Sequence, residues 1–589
     1  MNLQIIYNIA EICARKNVRQ WMLSPGSRVA PLTIALSRHP QIKSFTMSDE
    51  RSAAFTAFGM AQQLSKLYHQ QKQKDFLLVG LACTSGSAAY NYAPAIAEAF
   101  YQEIPLIVFT ADRPPEWIDQ LDGQTIRQRN IYGLHVKKSY ELPVDYDHPD
   151  AVWHVERIVN EAINLSKSPP FGPVHINAPF REPFYPQPGE IPHFDSPLRI
   201  IETLSGETNL AKPLWNSLLD DWEESPKILI VPGQHDFHPD LIKYLGLLYQ
   251  DYKMPIVSDT LSNTQSIAGA VRYHDIFLMD KSPDFLESLR PDLLITFGKS
   301  LISKALKLFL RKFPAREHWH IQVAGIPPDT FQSLTKVIPM YPEAFFRQLY
   351  SDLDFINMLD QDEEGEDNPY HELWQIYNAK AERYVHSFDF PQEKLTDFLA
   401  VYELLQALPP RNILHLANSM PVRYVNYVAF PPWAEIEICV NRGTSGIDGC
   451  TSTALGAALM TPDQTVVLLS GDLAFFYDRN ALWNNFIPSN LRIVLLNNHS
   501  GNIFRIIEGP SQQPELEQYF ETIQTLEAEN TARDFNLSYK KVETLAALQD
   551  QLKTFFEPSD QAVILEIITD KIENASVWKL FKDQFLEKL

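Results

Sequence analysis

Short apolar segments of strand length alternate with segments of helical pattern along most of this chain, and this alternation limits the folds open to it. In the first third, strand candidates occupy 21–24, 76–83 and 105–111, and a helix-like segment at 88–101 follows the second of them. Each candidate leads into a loop that is rich in Gly, Ser or Pro. Strands separated by helices usually form parallel sheets from βαβ units. The pattern therefore predicts an α/β fold.

Two breaks in composition divide the chain, whose 589 residues exceed what one hydrophobic core supports. The first is a proline-rich stretch with Pro183, Pro186, Pro188, Pro192 and Pro197, and the second is the acidic run DQDEEGEDN at 360–368. Further strand candidates lie at 227–231, 255–259, 292–297, 319–323, 412–417, 435–440, 465–470, 491–496 and 562–568. We expect three consecutive parallel-sheet α/β domains, at residues 1–185, 198–358 and 369–589.

Charge and composition argue against several classes of function. The chain has 73 acidic and 51 basic residues, a net charge of −22, which disfavours binding to nucleic acid or anionic membranes. No apolar segment approaches the roughly 18 residues of a membrane span, and the N-terminal segment lacks a signal-peptide pattern. The four cysteines have no CxxC spacing, so we expect a reducing, cytoplasmic location. GxSxG, Walker A and GxGxxG patterns are missing, which argues against hydrolases, NTPases and dinucleotide-binding proteins.

The clearest local motif places a carboxylate and an amide after two neighbouring strand candidates. The strand at 465–470 runs into Gly471-Asp472-Leu473. A helix-like segment at 480–486 follows, and the next strand, at 491–496, ends in Asn497-Asn498-His499-Ser500-Gly501. Ligands of open parallel sheets bind at the carboxyl ends of the strands, and oxygen ligands suit Mg²⁺. Alternatively, the first motif is a turn and the asparagines cap a helix.

This paired motif resembles the thiamine-diphosphate signature, in which GDG is followed about one crossover later by NN. The resemblance implies that Asp472, Asn498 and the backbone carbonyl of Ser500 hold Mg²⁺ or Mn²⁺ and so anchor thiamine diphosphate. Leu473 and Ser500 stand where the general pattern has glycine.

Glu50 is the second candidate that the same resemblance singles out, in the segment MSDERSAAFTAFGMA. In thiamine-diphosphate enzymes, a carboxylate from the N-terminal domain of a neighbouring subunit binds the pyrimidine ring of the cofactor and activates it. The resemblance therefore implies a homodimer or homotetramer with active sites at subunit interfaces. By spacing alone, Ser48 or Asp49 caps a helix and Glu50 complements its dipole.

Longer motifs narrow the resemblance to the menaquinone-pathway synthases that form 2-succinyl-5-enolpyruvyl-6-hydroxy-3-cyclohexene-1-carboxylate. The matching segments are LSPGSRVAPLT, SDERSAAF, TSGSAAYNYAPAIAEA, TADRPPE, QTIRQ, GPVHINAPFREP, NRGTSGIDG and GDLAFFYDRNAL. The implied reaction decarboxylates 2-oxoglutarate and adds the succinyl carbanion equivalent to isochorismate. The alternatives are another thiamine-diphosphate 2-oxoacid decarboxylase or carboligase, and a non-catalytic cofactor-binding protein.

Both substrates implied by the resemblance are dicarboxylates, and arginine forks bind carboxylates in two-point contacts. By motif position, the implied substrate-binding residues are Arg28, Arg113, Lys304, Arg423 and Arg442, together with Ser27, Asn418, Ile503 and Phe504. For any single arginine, a solvated surface role is the alternative. Gln124 is implied to face the reacting groups, Ser419 to bind the cofactor, and Ile447 to hold the cofactor bent.

One departure concerns the middle domain. The family often has a second basic residue directly after the lysine that corresponds to Lys304, whereas this chain has Ala305. Either Lys299 replaces the missing charge or the contact with the substrate is weaker.

Overall fold

Three parallel sheets organise the protein, and they confirm the predicted α/β class with three consecutive sheets. The computed structural model describes residues 3–70, 74–182, 184–186, 192–194, 197–204, 206, 209–360, 368–391, 394–430 and 434–588. Within them, two six-stranded sheets flank one of four strands. None of the helices in this described part is long and apolar enough to cross a membrane.

The N-terminal sheet has the spatial order β2-β1-β3-β4-β6-β5. Its strands are β1 Val18–Leu23, β2 Lys43–Thr46, β3 Leu78–Cys83, β4 Leu106–Asp112, β5 Ser139–Glu141 and β6 Val174–Pro179, and its helices are α1 Leu3–Arg15, α2 Ala30–Arg38, α3 Glu50–His69, α4 Ser87–Asn91, α5 Ala93–Gln102 and α6 Pro149–Lys167. The central strands β3 and β4 are buried along their whole length. This burial explains their continuous apolar sequences, since helices cover both faces of a parallel sheet.

The middle sheet has the order β10-β9-β8-β7. Its strands are β7 Ile228–Pro232, β8 Leu293–Phe297, β9 Glu317–Ile321 and β10 Lys336–Ile338, and its helices are α7 Lys212–Glu223, α8 Pro239–Tyr252, α9 His274–Phe277, α10 Pro283–Ser288, α11 Lys304–Lys312 and α12 Pro342–Asp360. The predicted strand at 255–259 is wrong, because Ile256 and Val257 form only isolated bridges. Asp259 then accepts a hydrogen bond from Leu261 N and begins a turn that ends the extended segment.

The C-terminal sheet has the order β12-β11-β13-β14-β16-β15, which repeats the order of the N-terminal sheet. Its strands are β11 Ile413–Leu416, β12 Glu437–Val440, β13 Val466–Gly471, β14 Leu491–Asn497, β15 Ser538–Val542 and β16 Val563–Ile568. Its helices are α13 Pro369–Ser387, α14 Asp397–Ala407, α15 Met420–Val428, α16 Cys450–Met460, α17 Asp472–Tyr477, α18 Ile503–Ile506, α19 Glu529–Asp534, α20 Leu545–Phe555 and α21 Lys571–Lys588. The direction of strand order reverses between β11 and β13, where doubly wound sheets bind ligands.

The two outer sheets are held together through helices α3 and α16. A Cβ atom at Gly59 of α3 would lie 2.1 Å from the carbonyl oxygen of Thr453, and one at Gly456 of α16 would lie 2.1 Å from that of Thr56. Only glycine therefore allows the two backbones to approach so closely. One hydrophobic cluster continues across this contact and joins the two outer domains within a single chain.

Several sequence-based boundaries differ from the structure. The predicted helix at 88–101 is two helices, α4 and α5, because Pro94 stands in the first turn of α5 and begins a new helix. The helix-like segment expected at 480–486 is a 3₁₀ turn at Arg479–Leu482. Residues 361–367 of the acidic run, and Pro183 and Pro188 of the proline-rich stretch, lie outside the described residues. The predicted domain boundaries at these places stay predictions.

Candidate active site

Asp472 lies where the sequence predicts a metal ligand, directly after strand β13. Its side chain is buried, with the residue 2% exposed. Oδ1 accepts a hydrogen bond from Leu473 N at 2.8 Å, and Oδ2 accepts one from Gln524 Nε2 at 2.8 Å. Burial raises the pKa of this carboxyl group to about 7. A nearby cation would favour the ionised form that burial disfavours.

Asn498 lies beside it, at the end of the neighbouring strand β14. Asn498 Oδ1 accepts hydrogen bonds from Ser500 N at 3.1 Å and from Ser500 Oγ at 3.2 Å. Asn498 Nδ2 donates to Asp397 Oδ2 at 2.8 Å. This bond places the amide nitrogen of Asn498 toward Asp397, so the amide oxygen is at the other end. That oxygen faces the loop of Ser500, as a metal ligand requires.

Sequence reasoning missed Asp397, the first residue of α14. This carboxylate is 1% exposed and also accepts a hydrogen bond from Thr569 Oγ1 at 2.6 Å. In the sequence, Thr396-Asp397 before an apolar helix resembles an ordinary helix cap, and Thr396 does cap α14. Nothing in the neighbouring sequence distinguishes a buried Asp397 that binds Asn498 from an ordinary residue at the start of a helix.

The residues of this loop fit a divalent cation and a diphosphate group. A carboxylate, an amide oxygen and a backbone carbonyl are the oxygen donors that Mg²⁺ prefers. Asn502, four residues after Asn498, is 4% exposed, and neither its Nδ2 nor its Oδ1 has a hydrogen-bond partner among the described residues. Leaving such atoms unpaired costs about 1–3 kcal/mol each. A bound group with oxygen acceptors, such as a diphosphate with its metal-bound water, would satisfy them.

Two predicted substrate-binding arginines lie close together near the ends of β11 and β12. Arg442 Nη1 donates to Asn418 Oδ1 at 3.1 Å, and Arg423 Nη1 donates to the carbonyl oxygen of Ser419. Burial lowers the pKa of Arg423, and the charge of Arg442 lowers it further. Asn418 and Ser419 follow β11 at the topological switch point. The structure therefore groups these four predicted residues at one edge of the C-terminal sheet.

Ile447 lies in the loop that follows Arg442, and at 36% exposure it is one of the exposed large apolar side chains. Glu98, buried in the N-terminal domain, holds this loop by accepting hydrogen bonds from Gly443 N at 2.7 Å and Thr444 N at 2.7 Å. An exposed isoleucine on a fixed loop suits a side chain that supports a bound group. The role of Glu98 was not predicted, because it depends on a contact between distant parts of the sequence.

Glu50 is the first residue of α3, at the carboxyl edge of the N-terminal sheet. Asp49 caps the helix by accepting a hydrogen bond from Ser52 N, as the spacing predicts. Glu50 Oε2 accepts a hydrogen bond from Asn91 Nδ2 at 3.2 Å. Burial raises the pKa of the Cys83 thiol at the end of β3, and the charge of Glu50 adds to this rise. Glu50 thus lies at the end of the central strands.

Arg28 and Arg113 lie at this same edge. Arg28 Nη1 donates to the carbonyl oxygen of Phe180 at 2.9 Å, and its guanidinium carbon is 4.4 Å from the ring centre of Phe184. Burial lowers the pKa of Arg28, and the like charge of Arg113 lowers it further. Arg113 pairs with Asp122 at 3.0 Å, yet its buried Nε has no partner among the described residues.

Gln124 and Ser27 are exposed at the same edge. Gln124 has a left-handed backbone with φ of 56°, and it lies over Gly86 at the start of α4. The polar surface available to a ligand here therefore includes both side chains.

The remaining three predicted residues lie on helices α11 and α18. Lys304 is exposed at the first position of α11. Ile503 packs on a hydrophobic core cluster, and the ring of Phe504 is 5.7 Å from that of Phe520. Lys299, the predicted replacement for a missing charge, forms an ion pair with Glu103 at 2.7 Å.

The predicted site thus falls into two groups within one chain. The N-terminal group contains Glu50, Arg28, Arg113, Gln124 and Ser27, and the C-terminal group contains Asp472, Asn498, Ser500, Ile447, Asn418, Ser419, Arg423 and Arg442. Across the described residues, no hydrogen bond or ion pair joins a member of one group to a member of the other. A site that needs both groups is therefore not assembled by direct contacts in one chain.

Comparison with known proteins defines the class. Residues 7–131 match the family model described as "Thiamine pyrophosphate enzyme, N-terminal TPP binding domain", and residues 439–567 match its "C-terminal TPP binding domain" counterpart. The two matches contain Glu50 and the Asp472 loop, so the chain is an enzyme of the thiamine pyrophosphate (thiamine diphosphate) class.

Full-length relatives specify the family. Proteins named 2-succinyl-5-enolpyruvyl-6-hydroxy-3-cyclohexene-1-carboxylate synthase from Cytophaga hutchinsonii, Flavobacterium johnsoniae and Porphyromonas gingivalis are 45%, 35% and 37% identical to this chain. The alignments cover 98%, 98% and 97% of this chain, and 98%, 98% and 96% of the relatives. The chain belongs to the family of 2-succinyl-5-enolpyruvyl-6-hydroxy-3-cyclohexene-1-carboxylate synthases, which confirms the resemblance inferred from its motifs.

Proposed function

We propose that this chain is a transferase that joins 2-oxoglutarate to isochorismate with loss of CO₂, in the biosynthesis of menaquinone. The product is 2-succinyl-5-enolpyruvyl-6-hydroxy-3-cyclohexene-1-carboxylate. The observation that carries the proposal is the pair of neighbouring sites on the C-terminal sheet. A buried oxygen-donor loop for a metal diphosphate lies at the ends of β13 and β14, and two arginines follow β11 and β12. Although the protein is acidic overall, partly buried cations at this sheet edge make the edge suitable for binding anions.

In this site, Asp472, Asn498 and the backbone carbonyl of Ser500 hold the divalent metal, Mg²⁺ or Mn²⁺, and through it the diphosphate. Ser419 and Ile447 contact the rest of the cofactor. When bound, thiamine diphosphate supplies an electron sink that stabilises the carbanion left by decarboxylation. The chain's contribution is to fix the metal ligands in place before binding, as the hydrogen bonds of Asn498 and Asp472 do.

Glu50 acts in the other half of the site, by accepting a hydrogen bond from the pyrimidine ring. The cap at Asp49 and the contact with Asn91 hold its carboxylate at the sheet edge. Because the two groups of site residues are separate within one chain, we propose that a second copy supplies Glu50 to each Asp472 loop. The enzyme is then a homodimer or homotetramer with shared active sites, and its location is the cytoplasm.

Arginine residues from both halves bind the substrate carboxylates. Arg28 and Arg113 lie on the side of Glu50, while Arg423 and Arg442 lie on the side of the metal loop. The lowered pKa values of Arg28 and Arg423 reflect burial together with a neighbouring like charge. A bound carboxylate offsets both effects because it supplies the opposite charge, and it provides an acceptor for the unpaired Nε atoms of Arg113 and Arg442. Gln124 and Ser27 orient the substrates from the N-terminal side, and Asn418, Ile503 and Phe504 from the other.

The proposal is tested by following isochorismate loss with purified protein and leaving out one component at a time. We expect loss only when 2-oxoglutarate, thiamine diphosphate and Mg²⁺ are all present. Loss that continues without 2-oxoglutarate would point to a different reaction of isochorismate. Consumption of 2-oxoglutarate without any effect on isochorismate would point to a simple decarboxylase.

A further inference from the structure

Lys307 of helix α11 is a basic residue that lies next to Arg442, although the two belong to different domains. Its Nζ donates to the carbonyl oxygen of Leu301 at 3.1 Å, and Ser300 Oγ of the same loop donates to the carbonyl oxygen of Arg442 at 3.3 Å. Burial lowers the pKa of Lys307, and among the neighbouring charges Arg442 contributes to that fall. The loop at 300–303 therefore brings a cation of the middle domain to the arginines of the C-terminal domain.

The acidic residues near this cluster are already engaged. Asp259 accepts hydrogen bonds from Leu261 N, Ile302 N and Ser303 N at 2.9–3.1 Å. Asp275 accepts a hydrogen bond from Asn426 Nδ2 at 2.7 Å and another from the hydroxyl group of Ser303. Both carboxylates therefore bind the loops that shape the cluster and form no ion pair with its cations.

In the part of the chain that the structure describes, the cations of the cluster bind backbone and amide oxygens and not carboxylates. Among the described residues, Lys307, Arg423 and Arg442 form no ion pair within 4.0 Å, and the buried Nε of Arg442 has no hydrogen-bond partner at all. Besides burial, the charge of Arg442 lowers the pKa of both Arg423 and Lys307, and the nearby Asp275 and Asp259 oppose this effect. An anion bound between the three cations would offset the charge of Arg442 and accept the free hydrogen bonds.

We propose that Lys307 completes a three-cation site, with Arg423 and Arg442, for a carboxylate group of one of the dicarboxylate substrates. This inference rests on the proposed function. The other candidates on the middle domain are less well placed for this contact. Lys299 is paired with Glu103, Ala305 packs on the hydrophobic core, and Lys304 is exposed to solvent. Lys307 is one helical turn after Lys304, and its Nζ binds the loop whose Ser300 contacts the backbone of Arg442.

The test compares Lys307→Gln with Lys312→Gln, which makes the same change at an exposed position of the same helix. Glutamine keeps a donor for Leu301 O but removes the charge. In the holoenzyme, Lys307→Gln should raise KM for one of the two substrates at least about tenfold, the size of one lost charge-assisted hydrogen bond. Lys312→Gln should change neither KM more than about twofold, and Lys307→Arg should restore most of the lost affinity because the charge returns.

Two further measurements distinguish a local loss of substrate binding from a general loss of structure. Affinity for thiamine diphosphate and the thermal midpoint should match those of the wild type in both glutamine variants, which excludes a general loss of structure. In the unmodified enzyme, trace acetylation located by mass spectrometry should show that one substrate alone protects Lys307 but not Lys312. Because the acetylation measurement uses the wild-type enzyme, it does not depend on the folding of any variant.

The outcomes separate this inference from the proposed function. If wild-type enzyme consumes isochorismate as expected, but Lys307→Gln leaves both KM values within twofold, the three-cation site is wrong. An equal or larger effect at Lys312, or equal acetylation of Lys307 with and without each substrate, overturns it as well. If the wild-type enzyme itself does not consume isochorismate, the proposed function is wrong, whatever the effect of changing Lys307.

Discussion

The buried carboxyl group of Asp472 makes a quantitative prediction about stability and pH. Burial raises its pKa from 3.8 to about 7, so the folded protein holds this proton more tightly than the unfolded chain does. Without metal, the stabilisation from this proton is complete below about pH 4 and is lost as the pH rises through about 7. At 1.36 kcal/mol per pH unit, the difference corresponds to roughly 4 kcal/mol of unfolding free energy as an upper value.

Asp472→Asn isolates this contribution, because asparagine has the shape of the protonated acid and does not titrate. The assay is the thermal midpoint of metal-free and cofactor-free protein between pH 5 and pH 8. Asp112 and Asp478 are also buried acids with raised pKa values, about 6 and about 7. They are the same in both proteins, so their effects cancel in the difference.

We expect the variant to gain stability relative to the wild type as the pH rises, with a small difference at pH 5 and the largest at pH 8. Adding Mg²⁺ and thiamine diphosphate should reverse the order at pH 8, since the metal replaces the proton at the wild-type carboxylate. A difference between the two proteins that does not depend on pH would refute the assignment of the raised pKa to Asp472. An equal response of both proteins to metal would refute its role as a ligand.

Three further changes test other parts of the site. Glu50→Gln should lower the turnover number by a factor of about 10²–10⁴, while titration still shows that cofactor and metal bind. Wild-type turnover in the folded variant would show that Glu50 does not activate the cofactor. Arg28→Ala should weaken isochorismate binding by roughly 2–5 kcal/mol and so raise the KM for isochorismate steeply. The KM for 2-oxoglutarate should change little. If the variant no longer decarboxylates 2-oxoglutarate but still binds isochorismate normally, Arg28 binds 2-oxoglutarate and not isochorismate. Asp397→Ala should weaken metal-dependent cofactor binding by about 10–100-fold, measured by fluorescence titration, because the amide of Asn498 is no longer held; unchanged affinity would mean that Asp397 only supports the fold.

Much of the fold follows from local sequence, because buried parallel strands are continuous apolar segments. The strands β3, β4, β13 and β14 are fully or almost fully buried and were predicted within two residues. The strands that were missed are mostly short or polar. For example, Ser538–Val542 has the sequence SYKKV and is partly exposed at the edge of its sheet, where side chains need not be apolar.

The candidate site was predictable where its residues belong to short motifs at strand ends, as Asp472 and Asn498 do. Lys307, Asp397 and Glu98 were not predicted, since each acts on a residue far away in the sequence. Glu98 binds a loop about 345 residues further along the chain, and Asp397 binds Asn498 across 101 residues. Local patterns carry no information about such partners, and only the packing of the sheets brings them together.

The most direct test of the function is the stoichiometry between the two substrates. With 2-oxoglutarate labelled at its C1 carboxyl group, the wild-type holoenzyme should release one labelled CO₂ for each isochorismate consumed, and little CO₂ without isochorismate. Release of CO₂ at the same rate with and without isochorismate would contradict the account, because decarboxylation would then not be coupled to formation of the new carbon–carbon bond.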